Sequence, residues 1–310
     1  MRTLVTGAGG FAGSHLIELL EEGGGEIVGW LRPDTEPLVR GRRTRWMTVE
    51  LLDRDAVRTA IADLQPHAIY HLAGLPHVGD SWSHVHDTFA GNVLATHYLF
   101  DGLRQARLSP RVLVTSSATV YAPQPHAITE SDPINPNTPY GTSKLAQEML
   151  ARRAWEDDGI PAVIARSFNH VGPRQAAAFV APSIAKQIAE IEAGHREPVM
   201  QLGNLSPERD IMDVRDTVRA YRAMLESAAP GSPYNVCSGV PIRISRLVDM
   251  FLAKARVAIT IRLDESRVRP IDTPVIVGDP ARVCADTGWT PEVPFDRTID
   301  DLLAYWRSRA

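Results

Sequence analysis

Cysteine is scarce in this sequence of 310 residues: Cys237 and Cys284 are the two, and neither lies in a CxxC or other metal-type spacing. Disulfide frameworks and cysteine metal sites need suitably spaced pairs, so we expect free thiols, as in a cytoplasmic protein. A charged leader with an apolar core and a cleavage site is also missing, which predicts no signal peptide. Since no apolar run approaches about 18 residues, we expect no membrane span and a cytoplasmic location.

The chain has no excess of basic charge, because 33 Lys and Arg face 37 Asp and Glu, for a net charge of −4. This balance argues against a general nucleic-acid binder, and an anionic substrate would need locally placed arginines. Internal repeats and low-complexity segments are absent from the sequence. His84 and His86 precede a predicted helix that Asp87 is placed to cap, so we predict a helix start there and no metal site.

Short apolar runs alternate with helical patterns through the first half of the chain. The predicted strands are residues 2–6, 26–31, 68–72, 111–115 and 162–167, and the predicted helices are residues 13–22, 55–64, 87–107 and 143–157. Strands that alternate with helices require right-handed crossovers and a parallel sheet covered on both faces. The basic run 40–45 is predicted as a solvated loop between the second and third of these strands. The pattern therefore predicts an α/β fold with a Rossmann-type, doubly wound parallel sheet.

A glycine-rich loop, Thr6-Gly7-Ala8-Gly9-Gly10-Phe11-Ala12-Gly13, joins the first predicted strand to the first helix. Glycines allow the tight turn and let backbone N–H groups approach a pyrophosphate, while the helix N-terminus faces the negative charge. The alternative is a glycine turn with no ligand, but the strand-turn-helix context that the motif requires is present. The loop predicts a dinucleotide site formed by Gly7, Gly9, Gly10, Phe11, Ala12 and Gly13.

The end of the second predicted strand bears on the choice of cofactor, because NAD sites usually place Asp or Glu there, on the ribose 2′-hydroxyl. Here the acid, Asp34, follows Pro33 and lies past the strand, whereas Arg32 is placed to pair with a 2′-phosphate. We expect NADPH to be preferred and NADH to be tolerated. Further on, we expect adenine contacts from Glu50, Leu51 and Asp53; for Asp53 the alternative is an N-cap of the helix before Ala56.

Tyr140 and Lys144 are spaced so that both side chains lie on one face of a helix. A nearby ammonium favours phenolate, so Lys144 is expected to lower the pKa of the Tyr140 phenol. A phenol with its pKa brought toward neutral can exchange a proton with a substrate oxygen, which Ser117 can hold by a hydrogen bond. Together with the nucleotide loop, this pattern indicates hydride transfer at a carbonyl or alcohol carbon. By itself the pair also fits an ordinary amphipathic helix.

Four strings in this order and spacing resemble the extended short-chain dehydrogenase/reductase superfamily. They are the glycine loop, Tyr70-His71-Leu72-Ala73-Gly74, Thr115-Ser116-Ser117-Ala118-Thr119-Val120-Tyr121 and Tyr140-Gly141-Thr142-Ser143-Lys144. The resemblance covers the whole chain and implies that Tyr140 is the acid, that Lys144 tunes it and binds the nicotinamide ribose, and that Ser117 orients the carbonyl. It also implies cofactor contacts by Leu72, Ala73 and Gly74, and a homodimer through a four-helix bundle of helices 87–107 and 143–157.

After about residue 169 Pro and Gly become more frequent and the elements shorter, with predicted helices 179–192, 216–226, 245–255 and 295–306. We interpret residues 1–168 as the NAD(P)-binding Rossmann domain. Residues 169–310 are interpreted mainly as a smaller C-terminal α/β domain that binds substrate, with segments at about 211–238 returning to the first domain.

The second half is similar to members of the superfamily that act on nucleotide sugars, and most similar to the GDP-6-deoxy-D-mannose reductases. The similar strings include Val78-Gly79-Asp80-Ser81-Trp82, Arg166–Gln175, 179–188, Arg209–Asp216, Arg269-Pro270-Ile271-Asp272, Gly278-Asp279-Pro280 and Thr287-Gly288-Trp289. The resemblance implies reduction of the C4 ketone of GDP-4-dehydro-6-deoxy-D-mannose to GDP-D-rhamnose. The expected substrate-binding residues are Ser81, Ser117, Asn169, Val180, Lys186, Arg209, Arg269 and Asp272.

Residue chemistry also supports a diphosphate ligand, because guanidinium is the preferred partner of phosphate oxygens. Arg209 and Arg269 lie in loop-like segments rich in Pro and Asp. The alternatives are ion pairs, of Arg209 with Asp210 or Asp213, and of Arg269 with Asp272. Lys186 lies in a predicted helix, and a ligand contact and a plain surface role are both open for it.

The residues around Ser117 also bear on other reactions that a site of this kind can catalyse. A 4,6-dehydratase needs a carboxylate to take the C5 proton, and Ser117, Ala118 and Thr119 supply none, so we expect no dehydration. A nucleotide-sugar 4-epimerase would share the Ser-Tyr-Lys site, and reduction on the other face would give GDP-6-deoxy-D-talose; site chemistry alone leaves both open. A non-catalytic NAD(P)-binding protein is disfavoured, because all three catalytic positions are filled.

Overall fold

The computed structural model describes residues 1–264 and 273–310, and its elements are named here in chain order. The strands are β1 Arg2–Thr6, β2 Glu26–Leu31, β3 Thr44–Thr48, β4 Ala68–His71, β5 Arg111–Ser117, β6 Ala162–Ser167, β7 Asn169–Val171, β8 Val199–Leu202, β9 Glu208–Asp213, β10 Pro233–Val236, β11 Pro241–Arg243, β12 Thr260–Leu263 and β13 Val275–Ile276. The helices are α1 Phe11–Glu22, α2 Arg54–Leu64, α3 Val85–Phe89, α4 Ala95–Gln105, α5 Pro139–Glu156, α6 Val180–Glu192, α7 Val214–Ser227, α8 Ile244–Leu252, α9 Ala281–Thr287 and α10 Phe295–Arg307. A π-helical segment, Ala90–Leu94, joins α3 to α4, and 3₁₀ turns span Asp80–Trp82 and Ala118–Val120.

A seven-stranded parallel sheet in the order β10-β6-β5-β4-β1-β2-β3 forms the centre of the molecule. Its central strands are buried on both faces, with every residue of β4 and β6 buried. One apolar core lies between the sheet and helices α1 and α7, and another lies between the sheet and helices α2, α4 and α5. The Rossmann-type, doubly wound parallel sheet predicted from the sequence is thereby confirmed.

Two strands of this sheet were not predicted. β3 begins at Thr44, so the basic run 40–45 is not wholly a loop: its last two residues lie in an edge strand, where Arg45 is exposed. Charged side chains are tolerated on the outer strand of a sheet, so such a strand need not contain the apolar run from which strands are predicted. β10 joins the opposite edge beside β6, so the chain returns to the large sheet after α7.

The rest of the second half is built from small sheets and a third apolar core. β9 pairs with β7, β11 and β13, while β8 pairs with β12. Helices α6, α8 and α10 pack together around Ile184, Phe251 and Leu302, which are buried. Both cysteines are free, as expected. Within residues 1–264 and 273–310, no helix has the length and apolar character to cross a membrane.

Candidate active site

Ser117 and Tyr140 meet where the carboxyl end of a central strand faces the start of a long helix. Ser117 is the last residue of β5, and the chain then turns through the 3₁₀ turn Ala118–Val120. Tyr140 lies in the first turn of α5, which Thr138 caps by accepting from the Gly141 N–H at 3.0 Å. The start of α5 packs closely against the 3₁₀ turn after β5, and Gly141 makes this possible, because a Cβ there would lie 2.6 Å from the Thr119 carbonyl oxygen. The Ser117 side chain lies close enough to the Tyr140 hydroxyl to oppose the rise in the pKa of that phenol.

Lys144 completes the group one helical turn further on. Its Nζ lies 5.8 Å from the centroid of the Tyr140 ring. The ammonium donates to the Thr115 carbonyl at 2.9 Å and to Gln147 Oε1 at 2.8 Å. The structure therefore brings together Ser117, Tyr140 and Lys144, as the sequence spacing predicts.

The electrostatics of the pair differ from the sequence expectation. Burial raises the pKa of Tyr140 to about 12, against the opposing effect of the hydrogen bond with Ser117. Burial also lowers the pKa of Lys144 to about 8, partly offset by the carboxylate of Glu148. The expectation that the ammonium brings the phenol pKa toward neutral is thus wrong for the protein alone, because both groups are desolvated. A phenol that keeps its proton at neutral pH suits an acid that donates to a substrate oxygen.

The glycine loop fits a dinucleotide pyrophosphate. Gly7 has φ +67°, and a Cβ there would lie 2.7 Å from the Ala73 nitrogen; a Cβ at Gly13 would collide with the Gly7 carbonyl. α1 begins after Gly10 without a side-chain cap, so its first N–H groups face the loop as anion donors. Gly9 packs against Leu31 at the end of β2. The cofactor positions Phe11 and Ala12 open this helix.

The Phe11 ring packs against two histidine rings. It stacks on His170 with ring centroids 5.8 Å apart and meets the His15 ring edge-on. The Phe11 side chain thus joins α1 to the segment after β6, while its backbone N–H lies in the first turn of α1 beside the glycine loop.

The segment after β4 connects the glycine loop to Lys144. Leu72 and Ala73 follow β4, with the Ala73 nitrogen against Gly7. Gly74 has φ +159°, and a Cβ there would lie 2.6 Å from Asn92 Oδ1 and 3.7 Å from Lys144 Nζ. These three expected cofactor residues therefore lie at the carboxyl end of the central strand β4, between the glycine loop and Lys144.

The adenosine end of the expected cofactor site lies at the ends of β2 and β3. Arg32 directly follows β2 and is exposed, and Asp34 lies beyond the strand in a turn, as predicted. Glu50 accepts from the Leu52 N–H at 2.9 Å, and Leu51 packs against the core beneath α2. Asp53 caps α2 by accepting from the N–H groups of residues 55 and 56, which is the structural alternative considered for it. An adenine contact by Asp53 stays a prediction.

Replacing Arg32 by alanine is expected to weaken NADPH binding about ten- to hundredfold while leaving NADH binding nearly unchanged, because only NADPH carries the 2′-phosphate that a guanidinium would hold. Dissociation constants of both cofactors, measured by titration, check this. Arg40→Ala is the matched control, since Arg40 is exposed in the same loop and pairs with Glu36. Unchanged NADPH affinity in Arg32→Ala, or equal affinity of the unaltered protein for both cofactors, would refute the expected preference.

Three of the expected substrate residues are uncharged, and the structure places one beside Tyr140, one at the start of β7 and one at the start of α6. Ser81 is buried, and its Oγ accepts from the backbone N–H of Tyr140 at 3.3 Å. Asn169 is exposed at the start of β7 and donates to the Asp210 carbonyl at 3.3 Å. Val180 opens α6 with its side chain exposed.

Of the charged residues expected to bind substrate, two lie in the described part of the chain and contact other protein groups there. Lys186 lies 3.5 Å from Glu190 and over the Trp306 ring, which matches the plain surface alternative. Arg209 donates to the Glu208 and Pro274 carbonyls, whereas the carboxylates of its proposed partners bind other groups: Asp210 binds Ser238 and Gly239, and Asp213 binds Arg215. Arg269 and Asp272 lie outside the described residues.

The sequence reasoning missed Asn92, which sits in the π-helical segment. Its Oδ1 accepts from the Leu75 N–H at 2.8 Å, and its Nδ2 donates to Ser143 Oγ at 2.9 Å. Asn92 therefore connects the segment after β4 to α5, at the residue that directly precedes Lys144. π-Helical segments often mark functional sites, but nothing in local sequence signals one here. No cluster of metal-ligating side chains occurs in the described part of the chain, and His86 is exposed beside Asp87.

Known proteins resemble this chain over nearly its whole length. The family model described as GDP-mannose 4,6 dehydratase matches residues 4–302. The GDP-6-deoxy-D-mannose reductase of Pseudomonas aeruginosa is 31% identical, and the similarity covers 99% of this chain and 98% of the relative. The solved structure of RMD from Pseudomonas aeruginosa complexed with NADPH superposes with a TM-score of 0.87 at 31% identity, covering 100% of this chain and 99% of that one. Thermus thermophilus UDP-glucose 4-epimerase, solved with NAD, gives a TM-score of 0.89 at 25% identity with full coverage of both chains.

Proposed function

This chain belongs to the family that the GDP-mannose 4,6 dehydratase model describes, within the extended short-chain dehydrogenases/reductases, and we propose that it reduces GDP-4-dehydro-6-deoxy-D-mannose at C4 to GDP-D-rhamnose. Members of this family are NAD(P)-dependent enzymes, and so is this one. The observation that carries the proposal is the group of Ser117, Tyr140 and Lys144, which offers a proton and a hydrogen bond to a ketone oxygen but no carboxylate in the adjoining turn. The 31% identity to a reductase supports the same reaction.

The nicotinamide, when bound, supplies the hydride that becomes bonded to C4 of the sugar. The Ser117 hydroxyl orients the ketone oxygen, and the Tyr140 hydroxyl gives its proton to that oxygen as the hydride arrives. The carbonyl is thereby reduced to an alcohol and Tyr140 is left as phenolate. The ammonium of Lys144, 5.8 Å from the Tyr140 ring, stabilises that phenolate before a solvent proton replaces the one transferred.

Dehydration is disfavoured by the turn that follows Ser117. Ala118 has no functional group, and the Thr119 hydroxyl donates to Ser117 Oγ at 3.0 Å. A 4,6-dehydratase must remove the C5 proton with a base, and this turn presents none. The turn therefore supports simple ketone reduction over elimination of water.

Epimerisation at C4 is the second candidate function, favoured by the similarity to UDP-glucose 4-epimerase of Thermus thermophilus. An epimerase returns the hydride to the same sugar and so consumes no cofactor, whereas a reductase consumes one per turnover. Reduction on the other face of the ketone would yield GDP-6-deoxy-D-talose by the same chemistry.

The substrate site proposed for this reaction spans both parts of the chain. Residues 1–168 would hold the cofactor and the catalytic group, and residues 169–310 would supply most of the nucleotide-sugar contacts. In the second part, exposed Asn169 and Val180 begin β7 and α6, and in the first part Ser81 accepts from the backbone at the start of α5. The contacts assigned to Lys186, Arg209, Arg269 and Asp272 belong to the proposal as well.

The test is NADPH oxidation with GDP-4-dehydro-6-deoxy-D-mannose generated in situ, with the product identified against authentic standards. We expect one NADPH to be consumed for each GDP-D-rhamnose formed. Formation of the talose isomer would correct the face of reduction. Absence of oxidation, with interconversion of C4 epimers of a nucleotide sugar, would replace the reductase by an epimerase.

We further propose a cytoplasmic homodimer formed through α4 and α5. Met149 and Trp155 on α5 are exposed apolar side chains, as is Leu94 directly before α4, and a groove between the two helices is lined by His97 and Leu150. Exposed apolar side chains on neighbouring helices favour burial against a second copy. Sedimentation at micromolar concentration is expected to give twice the chain mass, and Met149→Asp, which places a charge at the interface, is expected to give single chains. A single-chain mass for the unaltered protein would contradict the dimer.

A further inference from the structure

A buried network of hydrogen bonds begins at Lys144 on α5 and leads away from Tyr140 to α4, β4 and β1. Lys144 Nζ donates to Gln147 Oε1 at 2.8 Å, and Gln147 Nε2 donates to Thr96 Oγ1 on α4 at 2.6 Å. Thr96 Oγ1 lies 2.8 Å from His71 Nε2 on β4, and His71 Nδ1 lies 2.8 Å from Thr6 Oγ1 on β1. These residues are buried, so water does not compete for their hydrogen bonds.

Counting the available protons shows which group donates and which accepts at each hydrogen bond of this network. The Thr96 hydroxyl has one proton, which it gives to the Asn92 carbonyl at 2.6 Å, so it must accept from both Gln147 and His71. His71 is then protonated on Nε2, and its Nδ1 accepts from Thr6. Burial, with the charge of Lys144 acting in the same direction, lowers the pKa of His71 to about 3, so the imidazole stays neutral. With its Nε2 committed to Thr96, Gln147 can present only its oxygen to Lys144.

The ammonium of Lys144 has three protons, and this arrangement accounts for two of them. One goes to the Thr115 carbonyl at the end of β5 and one to Gln147, which leaves the third for the side that Tyr140 and Gly74 occupy. The titratable groups that interact with the ammonium include Tyr140 and Glu148 from the same helix, the latter paired with Arg166 of β6, and neutral His71 from β4. An ammonium with two fixed acceptors has a fixed orientation.

We propose that Gln147 is a positioning residue for the reduction, which aims the Lys144 ammonium at the phenol and the cofactor while Thr96 and His71 hold the Gln147 amide in the one orientation that does so. This inference rests on the proposed function for its catalytic consequence. Gln147 touches neither substrate nor reacting atoms and acts through Lys144.

The chain contains three lysines, Lys144, Lys186 and Lys254, so lysine side-chain carbons labelled with ¹³C give three signals that single-lysine variants assign. In the cofactor-free protein the Lys144 signal is expected to titrate near pH 8. Gln147→Leu removes an acceptor of the charged form, so the midpoint is expected to move to lower pH. Gln147→Glu keeps an acceptor oxygen toward Lys144 and adds a negative charge, with the Thr96 hydroxyl turning from the Asn92 carbonyl to donate to the second carboxylate oxygen, so the midpoint is expected to move to higher pH.

Gln187→Leu is the matched control, because Gln187 is a buried glutamine whose amide bonds the backbone of Gln201 instead of a lysine. It is expected to leave the Lys144 midpoint unchanged. In the enzyme assay, Gln147→Leu is expected to lower kcat about ten- to hundredfold by misdirecting the ammonium, and Gln147→Glu to retain more of it. The alkaline limb of the kcat profile is expected to move with the NMR midpoint.

Lys144 midpoints that stay at the wild-type value in both Gln147 variants would overturn the inference. So would shifts of the same sign in Gln147→Leu and Gln147→Glu, or a shift as large in Gln187→Leu. The NMR measurement needs neither substrate nor cofactor. Opposite shifts in a protein that does not reduce GDP-4-dehydro-6-deoxy-D-mannose would therefore support the positioning of Lys144 while the proposed function fails.

Discussion

Replacing Tyr140 by phenylalanine is expected to lower kcat for ketone reduction about 10²- to 10⁴-fold, the usual contribution of a positioned acid. The hydroxyl is the group that burial keeps protonated, with the Ser117 side chain beside it. Phenylalanine removes the proton but keeps the ring that packs in the first turn of α5. The loss should therefore appear in kcat, with the affinity for NADPH nearly unchanged.

Tyr305→Phe is the matched control, since Tyr305 lies on α10 and its half-buried ring contacts Trp306 and Arg309. We expect it to keep wild-type activity. Thermal unfolding of both variants should show that neither change disturbs the fold. Tyr140→Phe with near wild-type turnover would remove Tyr140 from the chemistry and revive the non-catalytic interpretation.

Removal of the Glu148 carboxylate is expected to destabilise the fold by about 3–5 kcal/mol, because it leaves a buried guanidinium without its partner. Glu148 and Arg166 form a two-pronged ion pair, with distances of 2.9 Å and 2.7 Å, and both side chains are at least 96% buried. Ser116 donates to the same carboxylate at 2.5 Å, and Tyr121 Oη accepts from Arg166 at 2.9 Å. The pair ties α5 to strands β5 and β6 beneath the catalytic group.

Urea unfolding of Glu148→Leu measures this cost. The double variant Glu148→Leu/Arg166→Leu is expected to be more stable than Glu148→Leu, because no uncompensated charge remains. As a surface control, Asp300→Asn breaks the exposed pair with Lys254 and is expected to leave the unfolding curve nearly unchanged. A Glu148→Leu midpoint equal to that of Asp300→Asn would show that the buried pair does not hold this region together.

Local patterns predicted the elements that are buried on both faces and missed those at the edges. Strands β1, β2 and β6 have the bounds expected from their apolar runs, because every side chain of a central strand must suit a core. β3 was not predicted, because Arg45 is exposed on this edge strand and the basic run it belongs to resembles a loop. β10 follows a short turn and is recognisable only by its pairing with β6, about 70 residues earlier, which no local window contains.

The site shows the same division between local and distant information. Ser117, Tyr140 and Lys144 were found because a strand end and a helical spacing of four bring them together. The electrostatics of the pair were misjudged, because spacing reveals that Tyr140 and Lys144 are close but not that both are desolvated. Thr96 and Gln147 were missed because the contact between them joins two helices about 50 residues apart in the chain.

The measurement that tests the account most directly is the fate of the hydride. The enzyme is given NADPH carrying deuterium at both C4 positions, with GDP-4-dehydro-6-deoxy-D-mannose, and the product is analysed by mass spectrometry and NMR. We expect one deuterium at C4 of each GDP-D-rhamnose formed and one oxidised cofactor per product. A product without deuterium, or sugar turnover without net cofactor oxidation, would contradict it.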